Sequence, residues 1–185
     1  MPIQIREKTI EEITEKLKTM ITPLNKIAYL ESAVKENFSF EIKRYVWEKL
    51  SEFYEEKKLY EKSAKAMANK AGIEISSKEK VEAYIRAAEL YSRTAKVEDA
   101  DEMFVRALRT TGVDIARVKL AMKNIYLISA QQLEKKSKNI SSLKFYERLV
   151  KMPLDDFEKK QIKEKLIFSY KALGRFKDAE LVKGL

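Results

Sequence analysis

One short pattern of side chains returns four times along this chain, and it constrains the fold more than any other feature. Trp47, Tyr84, Tyr126 and Lys163 hold one equivalent position. Leu50, Ala87, Ser129 and Leu166 hold the next, followed by Tyr54, Tyr91, Leu133 and Tyr170. Small residues come after a polar break, at Ser63, Ala100, Ser142 and Ala179, then Met67, Phe104, Tyr146 and Lys183. The steps between units are 37, 42 and 37 residues. Within each unit the spacing is helical, so each unit predicts two amphipathic helices folded back on one another. Small residues let the second helix approach the first closely, and large ones fill the space between units. A single such hairpin cannot bury both faces, so the units must stack.

Helix punctuation agrees with this. Thr9 with Glu12, Ser76 with Glu79 and Asp155 with Glu158 have the spacing of capping boxes. Thr22-Pro23 ends a first helix over Thr9–Ile21 and starts a second that ends near Asn37. Ser39 caps a third. Gly72 and Gly112 stand where helix ends favour a left-handed residue. A seventh helix, opened by Asp114 and extended to about Lys136, is expected to be longer than its neighbours, and Pro153 closes an eighth. With 4 Gly, 3 Pro and 36% charged residues the composition suits an all-α chain. The expected organisation is one domain, with an N-terminal hairpin over 1–38 and the repeats and a terminal hairpin over 39–185.

The repeated pattern resembles the tetratricopeptide repeat, Trp-x-x-Leu-Gly-x-x-Tyr followed by Ala and Phe at set offsets. The resemblance covers about Tyr45 to Leu185. It implies a right-handed α-solenoid of about five antiparallel helix hairpins. The chain departs from the family in its longer steps, against ~34 residues for the standard repeat. Ser51, Ala88, Ala130 and Ile167 stand where the family has glycine. Lys163 and Lys183 give the last unit the character of a polar cap.

In that family the first helix of each hairpin lines a concave groove for extended peptides or helices. By resemblance, the groove positions here are Tyr45, Glu48, Glu52 and Glu55, then Ile85, Glu89, Ser92 and Arg93. Leu127, Gln131 and Glu134 follow, then Glu164, Phe168 and Lys171. The implied function is a non-catalytic scaffold binding another protein. The acidic early part favours a basic or mixed partner segment, and Ile85, Leu127 and Phe168 serve as apolar anchors. Some members of the family hold a C-terminal carboxylate in a Lys/Asn clamp. The matching positions here are Glu48, Glu52, Ile85, Glu89, Leu127 and Gln131, so that activity does not carry over.

Charge suggests an alternative. The net charge is +9, and 14 Lys/Arg against 7 Asp/Glu lie between Lys135 and Leu185. Lys159, Lys160, Lys163, Lys165, Arg175 and Lys177 are therefore candidate phosphate contacts for a nucleic acid. A second copy of the chain is a further candidate partner, through Val118, Met122 or Ile125 in the long segment 115–136. The chain has no histidine and no cysteine. That removes histidine-based nucleophile systems, disulfides and thiolate or imidazole metal sites. Four isolated glycines make no phosphate-cradling loop. Paired glutamates such as Glu55/Glu56 sit at surface helical positions near lysines, unlike an acid–base couple. No enzyme activity and no cofactor are expected. No apolar run nears the roughly 18 residues of a membrane span, and no secretory signal is evident at the N-terminus. A cytoplasmic location is expected. The Lys/Glu-rich, glutamine-poor balance points to a thermophilic source.

Overall fold

The structure, a computed structural model, describes residues 4–184. These form ten α-helices. They are α1 (Ile10–Thr19), α2 (Pro23–Ala33), α3 (Phe40–Glu56), α4 (Tyr60–Ile73), α5 (Ser77–Arg93), α6 (Val97–Leu108), α7 (Ile115–Lys135), α8 (Asn139–Leu149), α9 (Asp156–Ala172) and α10 (Phe176–Lys183). Among the described residues there is no β-strand, and no helix is long and apolar enough to cross a membrane. The chain divides into two compact units, one holding α1–α6 and the other α7–α10.

In the first unit α2 packs on α3, α3 on α4 and α4 on α5. Ile13, Leu17, Ile27, Leu30, Val46, Leu50 and Tyr54 share one core. The N-terminal hairpin is thus continuous with the helices that follow it. In the second unit α8 packs on α9 and α9 on α10. Tyr126 and Phe145 meet edge-on there, with ring centroids 5.4 Å apart.

The repeat register has a backbone counterpart. Lys58, Ala95, Ser137 and Gly174 all have left-handed φ values, between +56° and +72°. They are spaced by 37, 42 and 37 residues, the steps of the side-chain pattern. In three of these turns the same hydrogen bond closes the helix end. The amides of Leu59, Lys138 and Arg175 donate to the carbonyls of Tyr54, Leu133 and Tyr170 at 2.8, 2.9 and 2.8 Å. This is the six-to-one bond of a Schellman turn, which satisfies carbonyls the helix leaves open. Leu59, Lys138 and Arg175 then enter the next helix with nearly identical backbone angles, φ near −90° and ψ near +60°. The small residues Ser63, Ala100, Ser142 and Ala179 are all fully buried, as close helix approach requires.

α3, α5 and α9 each have 17 residues, whereas α7 has 21. Most of the excess of the 42-residue step over the steps of 37 is therefore one added helical turn. Some expected ends differ. Gly72 lies inside α4 and has no left-handed backbone, whereas Gly112 is left-handed as expected, at φ +74°, but follows the end of α6 at Leu108 by four residues. At Thr9 the cap is only half a box. Its hydroxyl accepts from the Glu12 amide, but Glu12 Oε2 accepts from the Lys8 amide at 2.6 Å instead of from Thr9. The Asp155–Glu158 box is complete.

Candidate functional site

On α3 and α5 three of the expected groove positions, Glu55, Glu89 and Arg93, join an ion-pair network centred on Arg86, which is not among them. Glu55 accepts two hydrogen bonds from Arg86 Nη2, at 2.7 and 2.6 Å. Arg86 also donates to Glu89, and Glu89 accepts from Arg93 Nη2 at 2.7 Å. The Arg93 guanidinium lies 5.5 Å from the centroid of the Tyr60 ring. Burial acts to raise the Glu89 carboxyl, but the hydrogen bonds and charges of Arg93 and Arg86 outweigh it and hold the group below its ordinary value. Glu48 pairs with Lys70 at 3.1 Å and Glu52 with Lys49 at 2.8 Å. Tyr45 is half-buried, its hydroxyl 2.6 Å from Thr14 Oγ1. Ile85 is half-buried and Ser92 is buried, donating to the Ala88 carbonyl at 2.8 Å. The acidic stretch is thus neutralised from within, and the pull on a basic partner that its sequence suggests is correspondingly reduced.

The second unit is different. A cavity of about 550 Å³ is lined by Leu127 and Gln131 of α7, Tyr146 of α8, and Gln161, Ile162, Glu164, Lys165 and Phe168 of α9. Four of these, Leu127, Gln131, Glu164 and Phe168, are positions the repeat register selects. Two ion pairs join α7 to α9, Lys123 Nζ to Glu158 at 2.7 Å and Lys165 Nζ to Glu134 at 3.1 Å. The numbers rise together along both helices, so α7 and α9 run side by side in one direction. A smaller crevice that shares Leu127, Gln161 and Ile162 with this cavity adds Leu149 and Leu154 to the apolar lining.

The outer stripe of α9 continues beyond the cavity. Phe157, Gln161, Glu164, Phe168 and Lys171 recur at helical spacing, and Phe157 and Phe168 are 71% and 72% exposed. The buried face of α9 is Ile162, Leu166, Ser169 and Tyr170. Gln161 and Phe157 are missed when the groove set starts at Glu164. The same spacing carried back from Phe168 finds Gln161 after two turns and Phe157 after three. Ile162 and the Lys123–Glu158 pair have no comparable signal, because their roles depend on which helix lies alongside.

The alternative phosphate contacts are not brought together as free cations. Lys165 is paired with Glu134, and Arg175 with Asp178 at 2.7 Å, over the Tyr170 ring. Lys160 and Lys177 are exposed, and Lys159 and Lys163 are half-buried. Of the proposed self-association residues, Val118 is buried, and Met122 and Ile125 are half-buried. The exposed apolar residues of α7 are instead Ile115, Leu120 and Ile128. Among the described residues no group of three or more acidic side chains is placed to hold a metal ion. No protein-family model matches this chain, and no curated protein matches it in sequence.

Proposed function

We propose that the protein is a non-catalytic interaction scaffold, a right-handed stack of tetratricopeptide-like hairpins that binds a segment of another polypeptide. The bound segment lies on the face made by the first helix of each hairpin. The observation that carries this function is the cavity between α7 and α9, lined by Leu127, Gln131 and Phe168. A cavity of this size accepts bulky side chains, and apolar walls with a few amides around them suit a peptide. The recurring left-handed turn at Lys58, Ala95, Ser137 and Gly174 supports the repeat architecture.

The test places a photo-crosslinking side chain at Gln131 and, as control, at the exposed Glu102 of α6. Discrete protein adducts are expected from the first position and not the second, and adding Phe168→Ala should abolish them. Equal labelling at both positions would refute the proposal. A second function, nucleic-acid binding, is favoured by the concentration of positive charge in α7–α10. A filter-binding assay separates it, because affinity for nucleic acid falls by orders of magnitude between about 50 and 200 mM salt.

A further inference from the structure

Between Ala116 and Leu185 there are 17 Lys/Arg and 8 Asp/Glu, which is the whole formal net charge of +9; the first 115 residues balance at 21 and 21. The cavity and the entire charge excess therefore fall in the same unit. Within the groove some of that charge is already spent. Lys123 and Lys165 are held by Glu158 and Glu134. What remains on the α7 and α9 faces at their C-terminal ends is Lys135 and Lys171, both exposed. Neither forms an ion pair among the described residues, although Glu180 lies within Coulombic reach of Lys171. Two further lysines, Lys136 and Lys138, follow within three residues of Lys135. At the other end of the stripe stands Phe157, eleven residues or about 16 Å of helix before Phe168.

We infer that the α7–α9 groove takes an acidic amphipathic segment of another polypeptide. Its bulky apolar side chain enters the cavity between Leu127 and Phe168, and its carboxylates face Lys135 and Lys171. The inference rests on the scaffold function proposed above and adds the chemistry of the partner. Apolar anchoring supplies the affinity, and charge complementarity supplies encounter rate and discrimination. A nucleic acid fits this face less well. Its phosphates would meet Glu164 on the wall and two lysines already engaged. A single strand needs a track of free cations beside stacking rings, and the rings here border a cavity instead of a flat platform.

The test is selection of a random peptide display library on the full chain, followed by fluorescence anisotropy with the enriched peptides. Enriched peptides should be net negative and carry at least one Leu, Ile, Phe or Trp. Phe168→Ala, and separately Lys135→Glu with Lys171→Glu, should each weaken their binding by about tenfold or more. All three residues are exposed, so unchanged circular dichroism and melting temperature are the folding control. Enriched peptides with no acidic bias, still dependent on Phe168, would overturn the inference and leave the groove standing. Failure to enrich any peptide whose binding depends on Phe168 would overturn both. An oligo(dT) probe that binds more tightly than the peptides and displaces them would overturn both in favour of a nucleic acid.

Discussion

Ser51 and Ser63 offer a direct test of whether the repeated units are equivalent. Both are buried, at 2% and 0% exposure. Their hydroxyls lie 2.7 Å apart, and each also reaches the other's carbonyl, at 3.3 and 3.0 Å. The corresponding pair one unit later is Ala88 and Ala100, both fully buried. Changing Ser51 or Ser63 alone to Ala removes one hydroxyl–hydroxyl bond but leaves the survivor a backbone acceptor. Each single change should cost about 1 kcal/mol, the usual net value of a hydrogen bond. Changing both makes the first unit chemically like the second, with no buried hydroxyl left to satisfy. The double variant should then cost under about 1 kcal/mol, well below the sum of the singles. Trp47 is the single tryptophan and packs against the same core. Urea unfolding followed by its fluorescence therefore reports on the correct unit. With a slope of about 1–1.5 kcal/mol/M, each single variant shifts the midpoint by about 0.7–1 M. Additive losses, totalling about 2 kcal/mol or more in the double variant, would refute the equivalence.

Further outcomes follow from the turns and the ion pairs. Ala95 has φ +60°, so Ala95→Gly should stabilise by about 0.5–1 kcal/mol. Gly174→Ala, at φ +72° with open space around the new methyl, should cost about 1 kcal/mol; thermal melts check both. The Glu89 carboxyl is held below its ordinary value of 4.5. Its stabilisation is therefore present above that pH and is lost as pH falls through the lower folded value. Urea midpoints of the natural chain and Glu89→Gln should differ most near neutrality and draw together as the pH falls below 4.5. A gap that widens on acidification contradicts the assignment.

The register was legible because it rests on side-chain size, which the sequence states outright. Tyr54, Tyr91 and Tyr170 are large and Ser63, Ala100 and Ala179 small, and their burial follows from spacing alone. The turns were less legible, because three of the four left-handed positions that recur at the repeat spacing are Lys58, Ala95 and Ser137. At Lys58 and Ser137 the closing hydrogen bond from the following residue holds the backbone where glycine is usually wanted, and Gly72, the natural candidate, is spent inside α4. Charge on the groove face was the least legible. Glu55 is neutralised by Arg86, 31 residues on, and Glu48 by Lys70 from the next helix. No local pattern announces such partners. Phe168 and Leu127 could be placed on one face from sequence, but the space between them exists only because α7 and α9 run alongside each other.

The added turn of α7 accounts for most of the difference between the 42-residue step and the steps of 37. Each helical residue rotates by about 100°, so four extra residues turn the helix through about 400°. The net offset is about 40°, and the apolar stripe of α7 stays on nearly the same side. Deleting Lys119 to Met122 should therefore keep Val118 facing the core and yield a 17-residue helix like α3, α5 and α9. Deleting only Ala121 and Met122 rotates everything before the cut by about 200° relative to the rest. Val118, now buried at 1%, would then face solvent while exposed Lys119 turns inward. The four-residue deletion should retain the helical circular dichroism and a cooperative melt. The shorter deletion should lower the melting temperature further despite removing less of the chain. If the two variants melt alike, or if the shorter deletion is the milder one, then α7 is not held by a register shared with its neighbours.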